Sequence, residues 1–197
     1  MRGEGHVGVL DERARATRRK ILVEATKLFA RQGYHATTVA DLAKAIGMTQ
    51  GALFHHFPNK EALLHTVIAR LARGVDEYRA LMEGASPEEA VRGVVERMCE
   101  HFRRQPEAAV CLSALATEFA GTDHPILAEI EAAYERFVEP FAAVLAQVPT
   151  VANPRAGAIA FIGAVQGIGI QGLLRGGEPP LEEMASGFLG LFGVARE

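Results

Sequence analysis

The chain has 197 residues, of which 49% are hydrophobic and 23% are charged, and this balance is typical of a soluble globular protein. Its two cysteines, Cys99 and Cys111, are too few for a disulfide framework, and no cysteine–histidine cluster has the spacing of a zinc site. The first twenty residues contain no apolar stretch of the kind that a signal peptide needs. We therefore expect a cytoplasmic protein with one or two domains.

Charge is distributed unevenly along the chain. Residues 13–73 carry eleven Lys or Arg against three Asp or Glu, a net charge of +8, whereas residues 74–197 carry nine against eighteen, a net charge of −9. The overall net charge of −3 conceals this division. A basic segment joined to an acidic one suggests that only the basic segment contacts a polyanion.

Apolar periodicity and helix-end signals predict helices throughout the chain. Residues 1–14 are expected to form a disordered arm that precedes the first helix. Thr38 followed by Asp41, and Ser86 followed by Glu89, have the spacing of helix-capping boxes. Since no segment alternates between apolar and polar residues over strand length, the fold is predicted to be all-α. The helices are predicted at about 15–32, 38–46, 49–57, 59–75, 87–104, 106–120, 124–147, 155–175 and 180–194.

Residues 38–57 have the dimensions of a helix-turn-helix motif, because two short helices meet across a turn at Gly47. In such a motif the amino end of the second helix enters the major groove of DNA. Gln50 is long enough to contact a base edge, and Gly51 lets the backbone approach the DNA closely. A plain helical hairpin with a polar face is the alternative. The outward residues of the second helix are Thr49, Gln50, Gly51, Phe54 and His55. Side chains placed to reach phosphates are those of Arg18, Thr38, Thr49 and Lys60.

A longer pattern runs in unbroken order through residues 17–68. Its elements are Arg18-x-x-Ile21-Leu22, Ala25-x-x-Leu28-Phe29-x-x-x-Gly33-Tyr34, Thr37-Thr38-Val39-x-Asp41-Leu42-Ala43, Ala45-x-Gly47-Met48-Thr49-x-Gly51-x-Leu53, His56-Phe57 and Lys60-Glu61-x-Leu63. This pattern resembles the DNA-binding domain of the TetR family of transcriptional regulators. The family has a tyrosine, whose hydroxyl usually touches a phosphate, where this chain has Phe54. The resemblance implies phosphate contacts from Thr38, His56 and Lys60, and base contacts from Thr49, Gln50 and His55.

The resemblance also implies a division into a three-helix helix-turn-helix domain over residues 15–75 and a helical ligand-binding and dimerisation domain over residues 76–197. The last two predicted helices would then form a four-helix interface between two chains. Three small residues lie on one side of the first of these helices and would let a second backbone approach closely; an intramolecular core helix is the alternative. The expected interface residues are Ala160, Gly163, Gly167, Phe188, Leu189 and Phe192.

An effector pocket is expected among the helices between about residues 87 and 175. Its candidate residues are apolar with few polar groups, so the expected effector is small and hydrophobic or aromatic. For each candidate, simple core packing is the alternative. The candidates are Met98, Cys99, Phe102, Cys111, Leu115, Phe119, Tyr134, Phe137, Phe161 and Gln166.

Other patterns in the chain do not indicate catalysis. Residues 167–172 match GxGxxG, but they lie inside an apolar helical stretch rather than between a strand and a helix. Residues 156–174 approach the length of a membrane span but contain two glutamines. No nucleophile or acid–base pair and no metal-ligand spacing is evident. We therefore expect a protein that is not an enzyme, holds no cofactor or metal and does not span a membrane.

These observations predict a DNA-binding transcriptional regulator. The specific prediction is a homodimeric repressor that a small-molecule effector releases from a pseudo-palindromic operator in double-stranded DNA. Two alternatives stay open. One is a regulator that senses oxidants or electrophiles through Cys111, and the other is a helical adaptor that binds protein through the acidic part of the chain.

Overall fold

The structure, a computed structural model, describes residues 4–191 and 193. Over these residues it consists of α-helices and connecting turns with no strand, which confirms the all-α prediction. The helices in chain order are α1 (Glu4–Gln32), α2 (Val39–Ile46), α3 (Gln50–His56), α4 (Lys60–Arg79), α5 (Pro87–Arg104), α6 (Pro106–Phe119), α7 (Ile126–Leu145), α8 (Pro154–Leu174) and α9 (Leu181–Gly190).

Helix ends fall where the sequence places capping residues. The Thr38 hydroxyl accepts a hydrogen bond from the backbone N–H of Asp41 at 3.1 Å, and the Asp41 carboxylate accepts one from the backbone N–H of Thr38 at 3.0 Å. Ser86 and Glu89 form the same reciprocal pair at the start of α5. Gly47 ends α2 with φ of +76°, a left-handed conformation that glycine adopts without steric cost. Both predicted capping boxes are confirmed.

The first helix is longer than the sequence indicated. It begins at Glu4, so residues 4–14, which were expected to belong to a disordered arm, are helical, and residues 1–3 lie outside the described residues. No proline interrupts this stretch, and Arg15 forms an ion pair with Asp11 at 2.6 Å, one helical turn earlier. The prediction gave too much weight to the glycines of this segment.

The predicted domain boundary at residues 75/76 falls inside α4. We call α1–α3 with the first half of α4 the head, and the second half of α4 with α5–α9 the body. Phe29, Phe57 and Leu64 of the head share one buried core with side chains from the middle of α6 and the start of α7. A second core lies within the body, where Phe137, Phe141 and other rings pack together. The chain therefore has two cores, and the first of them joins head to body.

Candidate DNA-binding surface and effector cavity

Few residues of helix α3 pack against the rest of the head, so most of the surface of this helix is exposed. Leu53 is buried, and Phe57 just beyond the helix is buried too, so these two side chains fix the helix in place. Thr49 caps the helix by accepting a hydrogen bond from the backbone N–H of Ala52 at 3.2 Å. The residues predicted to face DNA from this helix are all exposed: Thr49, Gln50, Gly51, Phe54 and His55.

Arg18 holds α1 against the end of α3. Its guanidinium donates a hydrogen bond to the backbone carbonyl of His56 at 2.7 Å and lies 4.1 Å from the centre of the Phe57 ring. His56 itself is half-buried. These contacts give Arg18 a positioning role in the head. Because its side chain also remains exposed, the predicted phosphate contact stays a prediction.

Lys60 and Thr38, which are predicted to contact phosphates, already have hydrogen-bond partners within the head. The Lys60 ammonium donates hydrogen bonds to the backbone carbonyls of Tyr34 and Thr37 at 3.0 and 2.9 Å, and it lies 4.2 Å from the centre of the Tyr34 ring. The Thr38 hydroxyl donates to the Asp41 carboxylate at 2.6 Å, so its proton already has an acceptor. Both side chains therefore act first within the head, because the turn after α1 and the start of α2 leave backbone groups that need partners.

A carboxylate on the body holds the turn between α1 and α2. Glu118 of α6 accepts hydrogen bonds from the backbone N–H groups of Tyr34 and His35 at 2.6 and 2.7 Å, and its contact with the His35 ring Nδ1 is 2.6 Å. Burial of this carboxyl opposes ionisation, but the hydrogen bonds outweigh that effect and lower the pKa of Glu118. Sequence reasoning missed this residue, whose only signal is an isolated acid near the end of a largely apolar helix.

A cavity of about 510 Å³ lies between α4, α5, α6, α7 and α8. Five of the ten residues predicted for the effector pocket line it. At one side the Gln166 side-chain amide donates a hydrogen bond to the Tyr134 hydroxyl at 3.2 Å. The predicted residues that line the cavity are Met98, Tyr134, Phe137, Phe161 and Gln166.

The other five predicted pocket residues lie elsewhere. Cys111, Leu115 and Phe119 are fully buried in the core that joins α6 to the head, because that face of α6 packs on α1. Cys99 and Phe102 border a small void of about 10 Å³ on another side of α5. The Phe102 ring packs directly against α8, where it occupies the place that a Cβ at residue 169 would take, and this explains one glycine of the GxGxxG pattern.

The environment of Cys111 does not favour a reactive thiol. The side chain is fully buried, and burial raises the pKa of the thiol to about 12 although the charge of Arg70 acts in the opposite direction. Reactive cysteines need access and a lowered pKa. The alternative of an oxidant or electrophile sensor acting through Cys111 is therefore not supported.

The lining of the cavity is more cationic than the sequence analysis expected. Two arginines of α4, Arg70 and Arg73, and two of α5, Arg97 and Arg104, border it together with apolar and aromatic side chains. The expectation of a pocket with few polar groups is wrong. It left out α4, whose second half forms one wall, because it considered only residues between 87 and 175, and on α5 it selected apolar residues and not Arg97 or Arg104.

Helix α8 has apolar residues on two opposite faces. The face turned inward is made of Ala158, Phe161, Val165, Gly169 and Gly172. On the other side, six positions fall within an arc of about 100° at 3.6 residues per turn. A Cβ added at Gly163 or Gly167 on this side would meet no atom within 4 Å. The outward positions are Ile159, Ala160, Gly163, Gly167, Ile170 and Leu174.

Three residues predicted for the dimer interface lie in or near α9. Leu189 is buried in the body's own core, so its assignment to an interface is wrong; it turns inward with Ala185, one helical turn earlier. Phe188 is half-buried, and its ring centre lies 5.8 Å from that of Phe161. Phe192 lies outside the described residues. Leu191, which follows α9, is 82% exposed.

Two further features of the described residues concern metal ligands and membrane-spanning length. Between residues 4 and 191 and at residue 193, no group of three or more His, Cys, Asp or Glu side chains is placed to hold a metal ion. Within the same part of the chain, α8 is the one helix long and apolar enough to cross a membrane, and 28% of its most apolar stretch is buried. Its exposed apolar face is the one described above.

Comparisons with known proteins agree on one family. Residues 21–67 match the family described as "Bacterial regulatory proteins, tetR family". The uncharacterised HTH-type transcriptional regulator YxaF of Bacillus subtilis is 31% identical over 114 residues, which are 56% of this chain and 60% of that protein. The chain spans less than two thirds of the length of the curated relatives it matches.

Solved structures extend the similarity over most of the chain. The TetR family transcriptional regulator PfmR of Thermus thermophilus is 26% identical, has a TM-score of 0.69 and covers 90% of this chain and 95% of its own. AibR, solved in complex with isovaleryl coenzyme A and operator DNA, is 24% identical, has a TM-score of 0.72 and covers 89% of this chain and 97% of its own. The second likeness shows a shared fold.

Proposed function

We propose, on the premise that the chain belongs to the TetR family of bacterial regulatory proteins, that it is a DNA-binding transcriptional regulator which acts as a homodimeric repressor in the cytoplasm. Members of this family are regulatory proteins rather than enzymes, in agreement with the sequence analysis. A small-molecule effector in the cavity releases the dimer from a pseudo-palindromic operator.

The observation that carries this proposal is the open surface of α3. Its buried side anchors it to the head, while Gln50, Gly51 and His55 at its outer side are exposed. A helix of this size presents its amino end to the major groove, where Gln50 makes base contacts and Thr49 contributes a hydroxyl. The net charge of +8 over residues 13–73 favours a polyanion.

The outward face of α8 supports the dimer. An exposed row of apolar and small side chains on a helix is costly in water and is covered when a second copy packs against it. Glycine and alanine at three of the six positions allow the helices of two chains to approach closely. Two copies related by a two-fold axis would present two heads to one face of DNA.

Helix α4 connects the proposed effector cavity to the DNA-binding head. Its first half contributes Leu64 and Ile68 to the core of the head, and its second half lines the cavity from Arg70 to Tyr78. A ligand that favours one position of α4 therefore changes the placement of the head. To move the dimer from mostly bound to mostly free, the ligand must distinguish the two states by several kcal/mol, about 5.5 for a shift from 99:1 to 1:99.

Selection from a pool of random duplexes tests the DNA-binding proposal. The full chain is expected to enrich a two-fold symmetric motif, with half-sites centred about 34 Å or a multiple of that distance apart. Affinity for the enriched duplex is expected to fall steeply with salt. A folded protein that enriches no motif would contradict the proposal.

Light scattering coupled to size exclusion tests the dimer. The wild type is expected at twice the chain mass, and Ile170→Glu, which places a charge on the outward face of α8, is expected to shift it toward the monomer. Ala132→Glu is the matched control because Ala132 is exposed on α7. If Ile170→Glu stays dimeric as the control does, the interface lies elsewhere.

A further inference from the structure

We infer that the cavity between α4 and α8 takes an organic anion with an apolar body, rather than the neutral apolar compound that its aromatic residues alone would suggest. This inference rests on the proposed function, because it names the chemical class of the effector. It also assigns a part to the arginines of α4, which lie next to the head.

The two arginines of α4 that border the cavity, Arg70 and Arg73, have no carboxylate partner among the described residues. Among the described residues, neither Arg70 nor Arg73 has a carboxylate within 4 Å of its guanidinium, although Arg79 further along the same helix pairs with Glu83. Arg70 is also half-buried, whereas Arg73 is exposed. A half-buried arginine with no carboxylate within 4 Å is electrostatically unfavourable, and an anion placed beside Arg70 relieves that cost, while Arg73 adds a second, solvent-exposed positive charge.

The other ionisable side chains around the cavity already contact one another. Glu100 pairs with both Arg97 and Arg104, at 3.6 and 2.6 Å. His101 lies 2.9 Å from the Tyr78 hydroxyl and 3.4 Å from the Glu77 carboxylate. The four arginines that border the cavity therefore face two glutamates, Glu77 of α4 and Glu100 of α5, so each of the two helices contributes one excess positive charge. On α5 both arginines share Glu100, whereas on α4 the Glu77 carboxylate lies against His101 and neither arginine is paired with it.

The other side of the cavity is apolar and aromatic. The rings of Phe137 and Phe161 lie parallel, with centres 6.4 Å apart and planes 1° from each other, and Tyr134 lines the same region. A cavity of about 510 Å³ has the size of an ordinary small-molecule site. An occupant with an apolar body and one carboxylate, sulfonate or phosphate would contact the rings with its body and the α4 arginines with its charge. Planar guanidinium groups bind such oxyanions through paired hydrogen bonds.

Two fluorescent probes that share a ring system distinguish the contribution of charge to binding affinity from the contribution of hydrophobicity. The anion 8-anilinonaphthalene-1-sulfonate carries a sulfonate, and N-phenyl-1-naphthylamine is the same skeleton without it. Each is titrated into the full chain in the absence of DNA. The double variant Arg70→Met, Arg73→Met removes the charge while keeping an apolar stem, and Arg79→Met on the same helix is the matched control.

We expect the sulfonate probe to bind with one site per chain. Its affinity should fall about tenfold in the double variant, the loss of one charge-assisted contact, while the neutral probe changes less than about twofold. Arg79→Met should leave both affinities unchanged. Circular dichroism establishes that the double variant is folded.

A second variant tests the location of the site independently of charge. Gly74 lies on the cavity wall, and a Cβ there would meet no atom within 4 Å, so Gly74→Leu projects into open space. It should weaken both probes. The inference is overturned if the sulfonate probe does not bind, if Gly74→Leu leaves its binding unchanged, or if the double variant weakens both probes equally. Because no DNA is present, these outcomes are distinct from a failure of the duplex selection, which would contradict the regulatory function alone.

Discussion

The carboxylate of Glu118 in α6 lies 2.7 Å from the backbone N–H and 2.6 Å from the ring Nδ1 of His35, in the turn that follows α1. This contact joins a body helix to the segment that leads into the helix-turn-helix. The Glu118 side chain is 20% exposed, whereas that of His35 is 65% exposed. The contact therefore fixes the backbone of the turn from its protected side.

Glu118→Gln should lower the free energy of unfolding by about 2 kcal/mol at pH 7, because hydrogen bonds to a charged acceptor are lost. The folded-state pKa of Glu118 is lowered, so its carboxylate stabilises the fold above the unfolded pKa of about 4.3 and that contribution is lost as the pH falls through the folded value. The difference between wild type and variant should therefore stay constant from pH 7 down to about 5 and narrow only below the unfolded pKa of about 4.3.

Urea denaturation at a single protein concentration measures this difference. Glu131→Gln is the control, since Glu131 is exposed on α7. An equal loss at pH 7 and well below the unfolded pKa of about 4.3 would mean that Glu118 acts through packing and not through its charge.

Lys60→Met should lower the free energy of unfolding by about 1–2 kcal/mol, because the ammonium holds the carbonyls of Tyr34 and Thr37. Denaturation of Lys44→Met, an exposed lysine on α2, gives the comparison. Were Lys60 only a phosphate contact, both variants would unfold like the wild type and Lys60→Met would differ in DNA affinity alone.

Gly169→Ala should lower the melting temperature, since its Cβ would fall 1.6 Å from an atom of the buried Phe102 ring. Forced overpacking of this kind costs about 1–3 kcal/mol. Gly74→Ala is the matched control: it also lies in a helix but has open space at its Cβ, and helix propensity predicts a gain of up to about 1 kcal/mol. Equal melting temperatures for the two variants would show that Phe102 moves aside freely.

Phe54→Tyr should strengthen operator binding several-fold without changing base preference. Phe54 is 42% exposed on α3, and a tyrosine there adds a hydroxyl that donates to a phosphate, worth about 1 kcal/mol. Fluorescence polarisation with the selected duplex measures the change. Unchanged affinity would place residue 54 away from the DNA backbone.

Local signals in the sequence were sufficient for both ends of α2, for the start of α5 and for the exposed face of α3. Thr38, Ser86 and Gly47 mark helix ends through backbone chemistry that involves only neighbouring residues, and the structure has the same ends. Leu53 follows from periodicity in the same way. The start of α1 was missed because glycine content alone does not determine whether a segment is helical.

Features that depend on how helices pack could not be derived in this way. Cys111 and Phe119 are apolar residues of a body helix, and nothing in their spacing tells whether they face the cavity or the head. In the sequence Arg70 and Arg73 belong to the basic segment of residues 13–73. In the structure they line the cavity, because α4 continues past the predicted boundary. The contact between Glu118 and His35 joins residues 83 positions apart, so it appears only in the folded chain.

The most direct test of the account is the base preference of Gln50→Ala, measured by polarisation with the selected duplex and its single-base variants across a salt series. Gln147→Ala, in the turn after α7, is the control. The account predicts that Gln50→Ala loses about 1–3 kcal/mol of discrimination at one base pair in each half-site and keeps the wild-type salt dependence. If Gln50→Ala retains every preference of the wild type, α3 does not read the bases and the assignment of the DNA-binding surface is wrong.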